Sequence, residues 1–265
     1  MTWKRLQSIG EVKQFLFLSN MEKIETSEFD EQLVLELDPL LKDGLEKEYL
    51  AKLDEFLAKV KIIECGEKMV SFESSLPPTI FVDLVDLKIE VGDLDRNQLR
   101  EGIIVKLIEA QNSLPEGMHL VIRDAFRSKE VVQKLYERYV RLLIEKENIT
   151  EEEADVRVRF LLAMPDDIVP PGHMTGGAID VVLAYDDGRR VEMEVNEGSI
   201  PRSKQSWTAC DDLPEEIKNN RKILLDAMIG AGFRNYAREY WHYSYGDAYW
   251  AVRRKEKVAI YGIPK

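Results

Sequence analysis

The sequence predicts an α+β fold: a central, largely antiparallel sheet flanked by helices, behind an N-terminal helical segment. Three observations carry that expectation. A charged, leucine-rich stretch early in the chain repeats its apolar residues at helical spacing. From about residue 79 onward, strand-like and helix-like runs are interleaved. One pair of apolar runs brackets an Asp-Gly turn, the strongest short hairpin signal. Hairpins mixed with helices favour a mostly antiparallel sheet over a wound parallel one.

The elements follow in order. Residues 26–62 place Leu45, Tyr49, Leu53 and Leu57 on one stripe, widened by Phe56 and Val60, which predicts an amphipathic helix serving as a packing element or a docking surface. The Ser-Ser-Leu-Pro-Pro run at 74–78 reads as a linker, so the chain divides into a helical extension, 1–73, and a main domain, 74–265. Residues 79–91 read as strand, 96–112 as helix and 117–126 as strand. Residues 129–148 form a clear amphipathic helix with Val132, Leu135, Tyr139 and Leu142 on one face, and a second helix is expected from Glu151 to Met164. The hairpin spans 176–195 and turns at Asp186-Asp187-Gly188. A helix then starts behind Asp212, with Glu215 completing a capping box, and stops at Gly230 and Gly232. Residues 240–245 return as strand.

Bulk properties exclude several classes. With 265 residues, 45% hydrophobic and 32% charged, the chain has the material for one large domain. Its 37 basic and 49 acidic residues give a net charge of −12, which repels phosphate backbones, so no nucleic-acid partner is expected. No apolar run approaches a membrane span, and Phe15–Leu18 is too short for a signal-peptide core, so the expected location is cytoplasmic. Cys65 and Cys210 match no paired metal or redox motif and read as buried free thiols.

Chemistry concentrates in two phrases, HMTGGAID (His173–Asp180) and EYWHYSYGD (Glu239–Asp247), which hold two of only three histidines. Taken singly, His173 reads as a turn or core histidine and the second phrase as an aromatic strand. Taken together they supply two imidazoles and a carboxylate, His173, Asp180 and His242, the donor set of a catalytic zinc that keeps a fourth position open. Gly176 and Gly177 let the backbone turn sharply between a loop-borne His173 and an Asp180 early in its strand. Glu239 lies three residues before His242; in a regular strand the two would face opposite ways, so a bulge or tight turn is required. A carboxylate beside the metal but not on it is suited to general-base work. His119 has no acidic neighbour before Asp124 and reads as structural.

His173-x-x-Gly176-x-Ala178-x-Asp180 and Glu239-x-Trp241-His242 together resemble the zinc D-Ala-D-Ala dipeptidases and their relatives, the D,D-carboxypeptidases and peptidoglycan endopeptidases. The likeness extends through residues 219–236 and 123–133, and covers roughly 80–255. It implies one zinc per chain held by His173, Asp180 and His242, Glu239 as base and later proton donor, and Arg127 as stabiliser of the oxyanion. Asp124 either orients Arg127, meets the substrate's ammonium, or simply ends its strand. The implied partner is a small peptide, most closely a D-Ala-D-Ala-type dipeptide, with no membrane partner and no oligomeric state specified. The chain departs from the family pattern at Pro171, where Ser or Thr is usual, at Phe126-Arg127-Ser128 in place of Tyr-Arg-Pro, and at Glu194 in place of glycine. These changes touch pocket walls, leaving the ligand set and base in place. A carboxypeptidase or peptidoglycan-fragment peptidase, and a non-catalytic zinc-binding module, remain as alternatives.

Overall fold

The fold is taken from a computed structural model that describes residues 37, 40, 44–85, 96–194 and 204–265. Its centre is a five-stranded sheet in the order β3-β5-β6-β8-β7, formed by β3 (Phe81–Val82), β5 (Met118–Asp124), β6 (Ala178–Tyr185), β8 (His242–Ser244) and β7 (Arg234–Asn235). Within this sheet only the β3–β5 pairing is parallel. The expected strand at 79–91 is reduced to β3, and its part beyond Val85 lies outside the described residues. Helices α3 (Glu101–Ser113) and α7 (Glu215–Gly230) pack against each other and the sheet, joining Ile103, Leu107, Leu120, Leu183, Leu224 and Phe233 in the main core.

Several boundaries differ from expectation for local reasons. The helix expected from Arg96 begins at Glu101, because β4 (Gln98–Arg100) is drawn into an antiparallel pair with β2 (Met69–Ser71). The hairpin turns at Gly188 (φ 80°), but its second run makes only an isolated bridge, Ala184 with Arg190. Past Val191 the carbonyls of Glu192 and Met193 accept from the Asn220 and Arg221 side chains of α7, so no strand ladder continues. The capping box at Asp212 is absent: Pro214 precedes the first helical residue, and the cap has no side-chain hydrogen bond.

Helix α4 (Lys129–Glu147) is capped by Ser128, whose hydroxyl accepts from the Val131 amide, and ends at Asn148 in the left-handed region. With α5 (Glu151–Leu161), started by a Thr150–Glu153 capping box, it forms a second small core through Val131, Leu135, Val158 and Met174. Tyr139 and Leu142 are less buried than the stripe predicts because they border a cleft.

Before residue 74, α1 (Glu46–Leu57) buries Tyr49, Leu53 and Phe56 against Trp207 and Val252. Strand β1 (Lys61–Ile62) pairs in parallel with β9 (Val258–Ala259). The expected helical stretch before residue 37 lies outside the described residues. Both cysteines are free, though half-buried, whereas the sequence reading had them buried. Among the described residues, no helix is long and apolar enough to cross a membrane.

Gly177, at the entry to β6, shows how tightly this region is built. A Cβ there would strike the Tyr245 carbonyl oxygen and come within 2.9 Å of Tyr261. Gly177→Ala is therefore expected to destabilise by about 1–3 kcal/mol, as overpacking against backbone does. Thermal denaturation of the two proteins checks it; equal Tm values would mean that the backbone yields.

Candidate metal centre

Sheet register lines up the polar residues of the site. Asp124 on β5 stands opposite Asp180 on β6, and Asp180 stands opposite His242 on β8. Directly opposed residues on adjacent strands hold their side chains on one face a few ångströms apart. A row across three strands thus delivers two carboxylates and an imidazole to one side of the sheet. His173 arrives from the short helix α6 (Gly172–Thr175), which Gly176 terminates at φ 72°. Helix α6 is anchored by Met174 in the second core.

Asp180 is the hub. Its Oδ1 lies 2.9 Å from His242 Nδ1 and 3.3 Å from His173 Nε2, and the two rings meet edge-on with centroids 4.8 Å apart. Among the described residues these three offer donor atoms within 4.8 Å of one another. Donors on a tetrahedral zinc with bonds of ~2.0–2.2 Å stand roughly 3.3–3.5 Å apart, so the observed spacing suits such an ion with small adjustments. The second nitrogen of His173 faces the Ala125 carbonyl at 2.5 Å, the type of outer contact that fixes a ligand's tautomer and ring orientation.

Electrostatics follow from burial and partners. Burial would raise the Asp180 carboxyl, but the His173 and His242 imidazoles outweigh it and hold it well below the usual carboxylate range. Burial would depress His242; its hydrogen bond to Asp180, with the charges of Asp180, Glu239 and Asp247, turns the balance upward.

Glu239 sits in the tight turn that the sequence required. Its amide donates to Tyr236 O at 2.8 Å and its carbonyl accepts from the His242 amide at 3.2 Å, so residues 239–242 are folded back before β8 begins. Glu239 Oε2 comes within 3.8 Å of His242 Nδ1, on the same side as the donor set. Arg127 reaches the other flank, with a terminal nitrogen 3.8 Å from Asp180 Oδ2. Burial would lower its pKa, yet Asp124 and Asp180 outweigh that and keep the guanidinium charged.

Asp124 contacts Arg127 directly. Its Oδ2 accepts from Arg127 Nε (3.0 Å) and a terminal nitrogen (2.8 Å), and its Oδ1 accepts from Arg96 and from the Ala125 amide. His119 is apart, bridging the Thr79 carbonyl and Asp186 while stacked on Phe81.

Sequence reasoning missed two members of this neighbourhood. Arg96 shares Asp124, and nothing local marks it. Asp247 is buried behind α6, where a Cβ on Gly172 would come within 2.6 Å of its Oδ2, and it caps α8 (Ala248–Arg254) by accepting from the Trp250 amide. Gly246-Asp247 before an apolar run was a readable cap signal. The departures also acquire locations: Ser128 caps α4, the Pro171 carbonyl starts α6 by accepting from Met174, and Glu194 accepts from the Tyr240 hydroxyl at 2.7 Å. The site opens on a cleft of about 1830 Å³ bordered by Tyr139, Phe160, Ile168, Arg190 and Glu194.

Comparison with known proteins adds two findings. A family model described as D-ala-D-ala dipeptidase matches residues 88–259, a span that contains the whole donor set, Glu239 and Arg127. A D-alanyl-D-alanine dipeptidase of Synechocystis sp. is 27% identical, the alignment covering 62% of this chain and 78% of the relative.

Proposed function

The chain belongs to the D-Ala-D-Ala dipeptidase family of metallopeptidases, and from that membership we propose that it hydrolyses D-Ala-D-Ala-type dipeptides at a zinc ion held by His173, Asp180 and His242. The observation that carries the reading is the convergence of those three donors with Glu239 and Arg127 on either side, within 3.8 Å of members of the set. A bound zinc would supply Lewis acidity, polarising the scissile carbonyl and bringing the pKa of water to ~7.

The protein's own groups do the rest. Glu239 accepts a proton from water as its oxygen adds to the carbonyl carbon. Negative charge develops on the former carbonyl oxygen, and Arg127 donates to it. A guanidinium already fixed by the two hydrogen bonds it donates to Asp124 needs little reorganisation to do so. As the carbon–nitrogen bond breaks, Glu239 returns its proton to the leaving amine, giving two amino acids from one dipeptide.

A second reading, a carboxypeptidase or peptidoglycan-fragment peptidase of the same family, draws on the size of the cleft. Small-ligand pockets are usually ~300–1,000 Å³, well below the volume here. One experiment separates the two: incubate zinc-loaded protein with D,D, L,D and L,L dipeptides and with an acylated peptide ending in D-Ala-D-Ala. Release of D-alanine from the free dipeptide, with the blocked peptide left intact, is the expected result. Cleavage of the blocked peptide alone would favour the second reading, and turnover of neither would return the chain to a zinc-binding module.

A further inference from the structure

We infer that Glu46, at the start of α1, is a positioning residue for the turn that carries Glu239, acting through Arg238; this rests on the reading of Glu239 as the base. Arg238 is only 1% exposed although it immediately precedes Glu239. Glu46 Oε1 accepts from Arg238 Nε at 2.7 Å and lies 2.6 Å from a terminal guanidinium nitrogen. Among the described residues it is the carboxylate that pairs with this buried cation. Across the guanidinium, the remaining nitrogen donates to the Tyr236 hydroxyl (3.2 Å) and the Phe160 carbonyl (3.4 Å), and the group lies 4.7 Å from the Phe160 ring centroid. Arg238 therefore ties together three pieces: α1, the end of α5, and the turn at 236–241.

The backbone of that turn is fastened at consecutive residues. Thr208 N donates to Ala237 O, Ser206 Oγ to Arg238 O, Asn235 Nδ2 to Glu239 O, and Tyr240 N to Ser206 O. The Arg238 side chain adds a fastening from outside this local set, and its anchor is 192 positions away in sequence. The anchor is itself immobilised, since Tyr49, Leu53 and Phe56 of α1 are packed on Trp207 and Val252. Removing the Glu46 charge leaves a buried guanidinium unpaired, an unfavourable state that is relieved by moving Arg238 toward water. Such a movement displaces the adjoining Glu239, and displacements of about 1 Å at reacting groups can cost on the order of 100-fold in rate. The segment before residue 74 thus forms part of the catalytic unit, although the family match begins only at residue 88.

The test compares full-length, zinc-loaded wild type with Glu46→Gln, Glu46→Ala and the double variant Glu46→Gln/Arg238→Met, on whichever peptide the wild type cleaves. Expected is a fall in kcat of about tenfold or more for Glu46→Gln, with KM and zinc content near wild type, and no further loss in the double variant. Glu46→Gln keeps the side chain's shape, so it serves if Glu46→Ala fails to fold. A kcat within twofold of wild type, or a lower Tm without any kcat change, would overturn the inference and leave the pair merely structural. Hydrogen exchange of the Glu239–His242 amides reads the same question without chemistry. Faster exchange in Glu46→Gln supports the inference even if the wild type cleaves nothing, and unchanged exchange sinks it while leaving the proposed activity untouched.

Discussion

Glu239→Gln is expected to abolish turnover while leaving the metal in place. Glutamine preserves the length and burial of the side chain, and Glu239 is not in the donor set formed by His173, Asp180 and His242. What it removes is the capacity to accept a proton from water and hand it to the amine. General acid–base groups contribute typically ~10²–10⁴-fold. One residue performing both transfers should lie toward the upper end, so a loss of about 10³-fold or more in kcat is expected. Zinc content and Tm report whether the site survives. Full activity in Glu239→Gln would remove this residue from the mechanism, and loss of zinc with loss of activity would make it a ligand instead.

How legible this site was in the sequence depended on the distance over which each signal acts. His173 to Asp180 lies within one short phrase, and Glu239 to His242 within another, so residue type and spacing disclosed both. The demand for a tight turn at Glu239 came from strand geometry alone, and the backbone meets it through the Tyr236 and Glu239 carbonyls. The register that sets Asp124, Asp180 and His242 in one row could not be read, because it depends on which strands become neighbours. The same limit applies to the N-terminal part. Helix α1 was visible in its apolar spacing, yet nothing in the sequence sets Glu46 apart from the other acidic residues around it. Only the three-dimensional structure brings it to a buried arginine 192 positions later. Boundary errors also had non-local causes. Gln98–Arg100 has helical neighbours but is claimed by β2, and the hairpin's second run loses its ladder to two side chains of α7.

His173→Ala and His242→Ala should each abolish metal binding and hydrolysis together, whereas His119→Ala should retain both. The contrast follows from environment, since all three are imidazoles with polar partners. His119 satisfies both nitrogens with Thr79 O and Asp186, at the far end of β5, opposite Ala184 rather than Asp180. His173 and His242 each turn one nitrogen toward Asp180 Oδ1. Removing either imidazole leaves one nitrogen and one carboxylate, below the three protein ligands of an ordinary catalytic zinc site. Zinc measured on purified protein should therefore drop from about one per chain to near zero in both variants. Chelation of the wild type should reproduce the loss of activity, and added zinc should reverse it in the wild type alone. If His173→Ala carried as much zinc as the wild type, the ion would lie elsewhere, and the roles given to Glu239 and Arg127 would fall with it.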